Sequence, residues 1–164
     1  MALLLGDKRT FAAEVGDCDG TDMRRVDLWA AGQWLTCDDN TVYVPQFRHH
    51  VGLTLDRLPP AAVPFPGLSA AAAHRRLLAE DNELLSEFWF LDGWGPTTDN
   101  VISFAFRNGD GLVLTAQFWR EDHLREHPEH AGMVFTAEIQ VEVLTGILQD
   151  LVAALSTGER RPCR

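Results

Sequence analysis

The stretch Val101-Ile-Ser-Phe-Ala-Phe-Arg-Asn-Gly-Asp-Gly-Leu-Val-Leu-Thr-Ala-Gln-Phe-Trp119 decides the fold. Ile102, Phe104 and Phe106 alternate along its first part, which is the period of a strand. Arg107 to Gly111 concentrates Asn, Gly and Asp, residues that accept a positive φ cheaply and mark a hairpin turn. Leu112, Leu114, Ala116 and Phe118 alternate again in a second strand. Further on, Met133, Phe135, Ala137 and Ile139 alternate against Val134, Thr136, Glu138 and Gln140. The period then changes, and Leu144, Ile147, Leu148, Leu151 and Leu155 form one helical stripe. Strand, hairpin, strand, loop, strand and helix predict an α+β chain. Its antiparallel sheet has about five or six strands, with helices packed mainly on one face.

Upstream, Phe11, Ala13 and Val15 alternate, as do Val26, Leu28 and Ala30. Ala31-Gly32 reads as a turn and Gln33 to Cys37 as a short strand, so the N-terminal third is a β-meander. Val44, Phe47, Val51, Leu55 and Leu58 mark a helical face, with Pro45 in its first turn. Pro59, Pro60, Pro64 and Pro66 end that helix and stiffen the connection. Ser69 is placed to cap a helix over 70–79. Leu84, Leu85 and Phe88 keep the helical spacing, so the helix could run on through Asp81-Asn82. The expected organisation is one domain over 1–158 and a basic tail over 159–164.

The chain has 164 residues, enough for one domain with a proper core. Its net charge of −10 argues against a nucleic-acid partner, since neutralising phosphates requires a basic surface. The same charge would steer a basic protein partner. No apolar run reaches the roughly 18 residues of a membrane span, and Ala2 to Leu5 is too short for a signal-peptide core. The protein is read as cytoplasmic. Cys18, Cys37 and Cys163 form no paired framework and are expected as free thiols.

Near the N-terminus, Gly6-Asp7 followed by Phe11-Ala12 and Glu14 resembles small immunity proteins of bacterial polymorphic toxin systems. Asp27-Leu-Trp-Ala-Ala-Gly-Gln-Trp-Leu35 looks like the second strand, turn and third strand of such chains. The closing strand and helix over 134–155 fit their plan. The proline-rich stretch over 59–66 and the Trp89/Trp94 segment depart from it. The resemblance implies a non-enzymatic inhibitor, without cofactor, that binds one cognate toxin and occludes an essential surface. It carries over no contact residues.

The residues themselves point to one surface. No Lys or Arg occurs between Arg76 and Arg107, while Glu80, Asp81, Glu83, Glu87, Asp92 and Asp99 interleave with Phe88, Trp89, Phe90 and Trp94. Acids with aromatic anchors suit a protein interface opposite a basic patch. The expected partner-binding set is Glu83, Glu87, Trp89, Asp92 and Trp94. The competing reading puts the aromatics in the core and the acids on a solvated edge.

Two further classes compete. His123, His127 and His130 have spacing that a helical turn could turn to zinc, and would support a small metal-dependent enzyme. The segment lacks the zinc-protease signature, Pro128 stops any helix, and no metal is assigned. A small-ligand-binding module would place a pocket between helix and sheet, lined by Trp119 or Trp34. Asp17, Asp19 and Asp22 lack the order of a calcium loop and read as an acidic turn. His49, His50 and His74 read as surface histidines. No nucleophile elbow or phosphate loop occurs. An open sheet edge would support a homodimer.

Overall fold

Alternation along the first third of the chain builds a five-stranded antiparallel sheet. The computed structural model describes residues 2–18, 21–79 and 83–156. Strands β1 (Leu3–Asp7), β2 (Phe11–Cys18), β3 (Met23–Ala30) and β4 (Gln33–Trp34) lie in that order, and β5 (Thr41–Tyr43) also pairs with β3. The register sets Ala13 opposite Leu28 and Val15 opposite Val26, so their side chains share the inner face. Glu14 faces Asp27 on the outer face, where Trp29 stacks on Trp34 at 5.8 Å.

A second antiparallel sheet runs β6 (Trp89–Phe90), β7 (Val101–Asn108), β8 (Gly111–Phe118), β9 (Phe135–Gln140). The β7–β8 hairpin turns at Gly109, whose φ is +62°. The α+β class and antiparallel pairing are as the sequence predicts. Among the described residues nine strands are split between two sheets, however, where one sheet of five or six was expected. Alternation tells which face a residue takes but not which strand it pairs with.

Helices α1 (Val44–Asp56), α2 (Ala70–Ala79), α3 (Leu85–Phe88), α4 (Glu121–Glu126) and α5 (Val141–Ser156) complete the fold. Pro45 sits in the first turn of α1, and the Ser69 hydroxyl accepts from the Ala72 amide to cap α2. The apolar stripe of α5, Leu144 to Leu155, is fully covered. It shares one core with Phe11, Val15 and Leu28 of the first sheet, Phe47 and Val51 of α1, and Leu112, Leu114 and Phe118 of the second. A separate cluster joins Ala73 and Leu77 of α2 to Phe88, Phe104 and Phe106. The second sheet is thus covered on both faces, and the helices do not gather on one side.

Gly6 explains why the chain opens as it does. Its φ is +87°, and a Cβ there would stand 2.3 Å from the Phe11 carbonyl and 2.8 Å from Ile147 Cδ1. Glycine lets α5 lie against β1. Asp7 then holds the hairpin loop, its carboxylate accepting from the Arg9 amide at 2.9 Å and from the Arg9 guanidinium at 2.8 Å.

Helix α2 is described as far as Ala79, and the expected run through 80–82 falls outside the described residues. The proposed 159–164 tail also lies outside them. Cys37 is a free thiol, but Cys18 is disulfide-bonded, against the expectation of free thiols. No described helix is long and apolar enough to cross a membrane.

Candidate functional site

The acidic aromatic segment divides by depth. Trp94 is only 1% exposed: its indole N–H donates to Thr54 Oγ1 at 2.9 Å, and its ring stands edge-on to Phe47. It is a core residue, so this member of the expected set offers no face to a partner. The strand alternation of Trp89-Phe90 turns Phe90 inward and leaves Trp89 half-buried against Phe104. Glu83, Glu87 and Asp92 are exposed, on the turn before α3, on α3 and in the loop after β6. Gly93 fastens that loop to α1, since a Cβ there would fall 2.6 Å from His50 Nδ1. The acids therefore ride on a segment whose aromatics anchor it to the body.

A second constellation forms where α4 and a following 3₁₀ turn (Pro128–His130) cross the end of β8. His123 is buried, and its Nδ1 lies 2.6 Å from Asp38 Oδ2. Its Nε2 lies 2.9 Å from His130 Nδ1. The two imidazoles are nearly coplanar, with the Phe118 ring stacked on both at 4.1 and 4.8 Å. His127 leans over His123 with ring centres 4.8 Å apart. The three histidines of the sequence motif do come together.

Asp38 is the member that the sequence did not disclose. It stands 85 residues from His123 in the chain. Burial works against its charge, but the bonds from Asn100 Nδ2 and His123 more than offset that and hold its carboxyl below the usual range. Cys37 Sγ is 3.8 Å from His123 Nδ1. Burial, with Asp38 nearby, pushes its thiol up to about 11, so Cys37 is no activated nucleophile at neutral pH.

Other sequence candidates fall outside these sites. His74 is completely buried rather than on the surface. Asp17 and Asp22 are exposed, and Asp19 lies outside the described residues. Trp34 sits on the open face of the first sheet and Trp119 is 52% exposed, so neither lines a pocket between helix and sheet. An open cleft of about 840 Å³ lies elsewhere, between the 62–71 connection and the β7–β8 hairpin.

Asp27, in the segment that resembles immunity proteins, is a structural hub. Its Oδ1 accepts from Trp34 Nε1 and Asn40 Nδ2 at 2.9 Å, and its Oδ2 from Arg25 Nε at 2.9 Å. Burial opposes its charge, yet these donors lower its pKa on balance. The motif ties β3 to β4 and to the loop before β5.

No protein-family model matches the sequence, and no curated protein matches it. Among solved structures, CdiI from Burkholderia dolosa AUO158 matches over 93% of this chain and 99% of its own, with a TM-score of 0.60. The chain has the fold of CdiI. At 12% identity that likeness extends to the backbone plan and not to individual side chains. CdiI and this chain correspond over nearly their full lengths, so the match takes in both sheets and is not confined to a common substructure.

Proposed function

We propose that this protein is an immunity protein that binds one cognate bacterial toxin domain and neutralises it by occlusion. The fold shared with CdiI, a contact-dependent inhibition immunity protein, carries this reading. The net charge of −10 supports a toxin with a basic surface, because opposite charge accelerates encounter. The exposed acids Glu83, Glu87 and Asp92, with half-buried Trp89 beside them, form the docking surface. Trp94 supports that surface from beneath. The protein acts in the cytoplasm, where it meets an incoming toxin. A homodimer would pair through the open edge of β1, where Leu3 and Leu4 are half exposed.

The test begins from the gene beside this one in the source genome. The C-terminal domain of a large secreted protein encoded there is co-expressed with this chain. A stable complex together with protection from that domain's toxicity is expected. A toxin domain that neither binds this chain nor loses activity in its presence would overturn the reading.

A further inference from the structure

We propose that His127, Glu129 and His130 form a binding site for a divalent transition metal ion of the zinc class. The inference is independent of toxin binding. Two groups of potential donors meet at this end of the molecule: Cys37, Asp38 and His123, and then His127, Glu129 and His130. Their bonding separates their roles.

The first group is already spent on itself. Asp38 and His123 are joined at 2.6 Å, which is a hydrogen bond and leaves no room for an ion between them. Asp38 Oδ2 also accepts from Asn100. This group orients the second. The Asp38 carboxylate can only accept, so the proton of neutral His123 is on Nδ1 and its Nε2 carries the lone pair. That lone pair accepts from His130 Nδ1–H at 2.9 Å. His130 Nε2 is therefore left as a bare lone pair, held in direction by Phe118 stacked on its ring. A metal-binding histidine commonly has this second shell, its other ring nitrogen donating into a chain that ends on a carboxylate.

The bare nitrogen has partners beside it. Glu129 Oε1 lies 4.0 Å from His130 Nε2 and 3.5 Å from His127 Nδ1, and the three donors lie within 4.8 Å of one another. With bonds of about 2.0–2.2 Å, tetrahedral donors stand roughly 3.3 Å apart. His127 and Glu129 are partly exposed, at 41% and 63%, and can close the small remainder by rotation. Two imidazoles and one carboxylate suit zinc and its neighbours rather than calcium or magnesium, which prefer all-oxygen shells. The remaining position opens to solvent.

The test is zinc titration of the untagged full-length protein after chelator treatment, followed by calorimetry, with cobalt as a spectroscopic probe. One ion per chain is expected, with a tetrahedral-type cobalt spectrum. His127→Ala and Glu129→Gln alter partly exposed side chains and should abolish stoichiometric binding with the fold intact by circular dichroism. Asp38→Asn should weaken binding about tenfold or more by releasing the histidine chain, while Cys37→Ser should leave it unchanged. No stoichiometric binding by the wild type would overturn the site. So would binding that survives His127→Ala combined with Glu129→Gln, or binding lost in Cys37→Ser.

Discussion

His74 Nδ1 lies 2.7 Å from Thr115 Oγ1, joining α2 to the centre of the second sheet in a fully buried hydrogen bond. On the other side of the ring, Nε2 lies 3.0 Å from Gln117 Oε1. The Gln117 carbonyl must accept, so Nε2 carries the proton, and the Thr115 hydroxyl donates to Nδ1. The Thr115 oxygen in turn accepts from the Phe104 amide at 3.2 Å. A neutral imidazole satisfies every partner, whereas a second proton on Nδ1 would turn the Thr115 hydroxyl to its long contact with the Phe104 carbonyl at 3.5 Å and leave a charge buried.

Stability should accordingly fall in mild acid. Burial first, with Arg75 adding to it, lowers the His74 pKa from 6.5 to about 4, against the opposing bond to Gln117. The unfolded chain therefore binds more protons than the folded one between these values. The His74 contribution is complete above pH 6.5 and is lost as pH falls toward 4, by about 3 kcal/mol. The unfolding free energy from denaturant titrations should fall between pH 7 and pH 4 by about 3 kcal/mol more in the wild type than in His74→Gln, since the carboxylates titrate in both. Equal pH dependence in the two proteins would disprove it.

Gly6→Ala should destabilise by about 2 kcal/mol or more, through both its positive φ and the backbone clash at Phe11. Gly109→Ala separates the two causes. Its φ is +62° but nothing lies within 4 Å of the added Cβ, so its cost should be about 1 kcal/mol. Chemical denaturation of both variants gives the comparison. Equal losses would mean that the close approach of the Phe11 carbonyl and Ile147 at Gly6 adds nothing to the cost of its positive φ.

Trp94→Ala should cost about 3–5 kcal/mol, as expected for truncating a buried aromatic. Trp94→Phe should cost less. It keeps ring contacts with Phe47 and Phe90 and gives up the bond to Thr54, whose hydroxyl still donates to the His50 carbonyl. Thermal melts of the two variants test this. A partner interface built on Trp94 would show the opposite pattern, with stable protein and lost binding.

These residues show what the sequence could and could not disclose. The hairpin of Val101 to Phe118, the α5 stripe and the cap at Ser69 are local signals, and each was legible from neighbouring residues. Strands β1 and β5 were not, because β1 is exposed along most of its length and β5 has only three residues. His74 reads as surface because Arg75 and Arg76 follow it; only the register of β8 sets Thr115 and Gln117 against it. Acid and aromatic residues over 83–94 read as a partner surface by composition alone, but composition does not distinguish exposed Glu87 from buried Trp94. The His123 motif was visible, whereas its alignment by Asp38 needed the tertiary fold.

The exposed acids on the same segment provide the last prediction. Glu87 and Asp92 are solvent-facing, so replacing both with their amides should leave stability within about 0.5 kcal/mol. Their effect on a basic toxin would be on encounter. Surface charges act over about a Debye length, and their removal slows association more than it speeds dissociation. The paired variant Glu87→Gln/Asp92→Asn should therefore associate several-fold more slowly at low salt, and the difference should shrink as salt rises. Half-buried Trp89 should act on the other rate: Trp89→Ala should speed dissociation and leave the salt dependence intact. Stopped-flow association across a salt series measures both. An unchanged rate and affinity in the paired variant would remove this surface from the interface, even with the toxin still bound and inhibited.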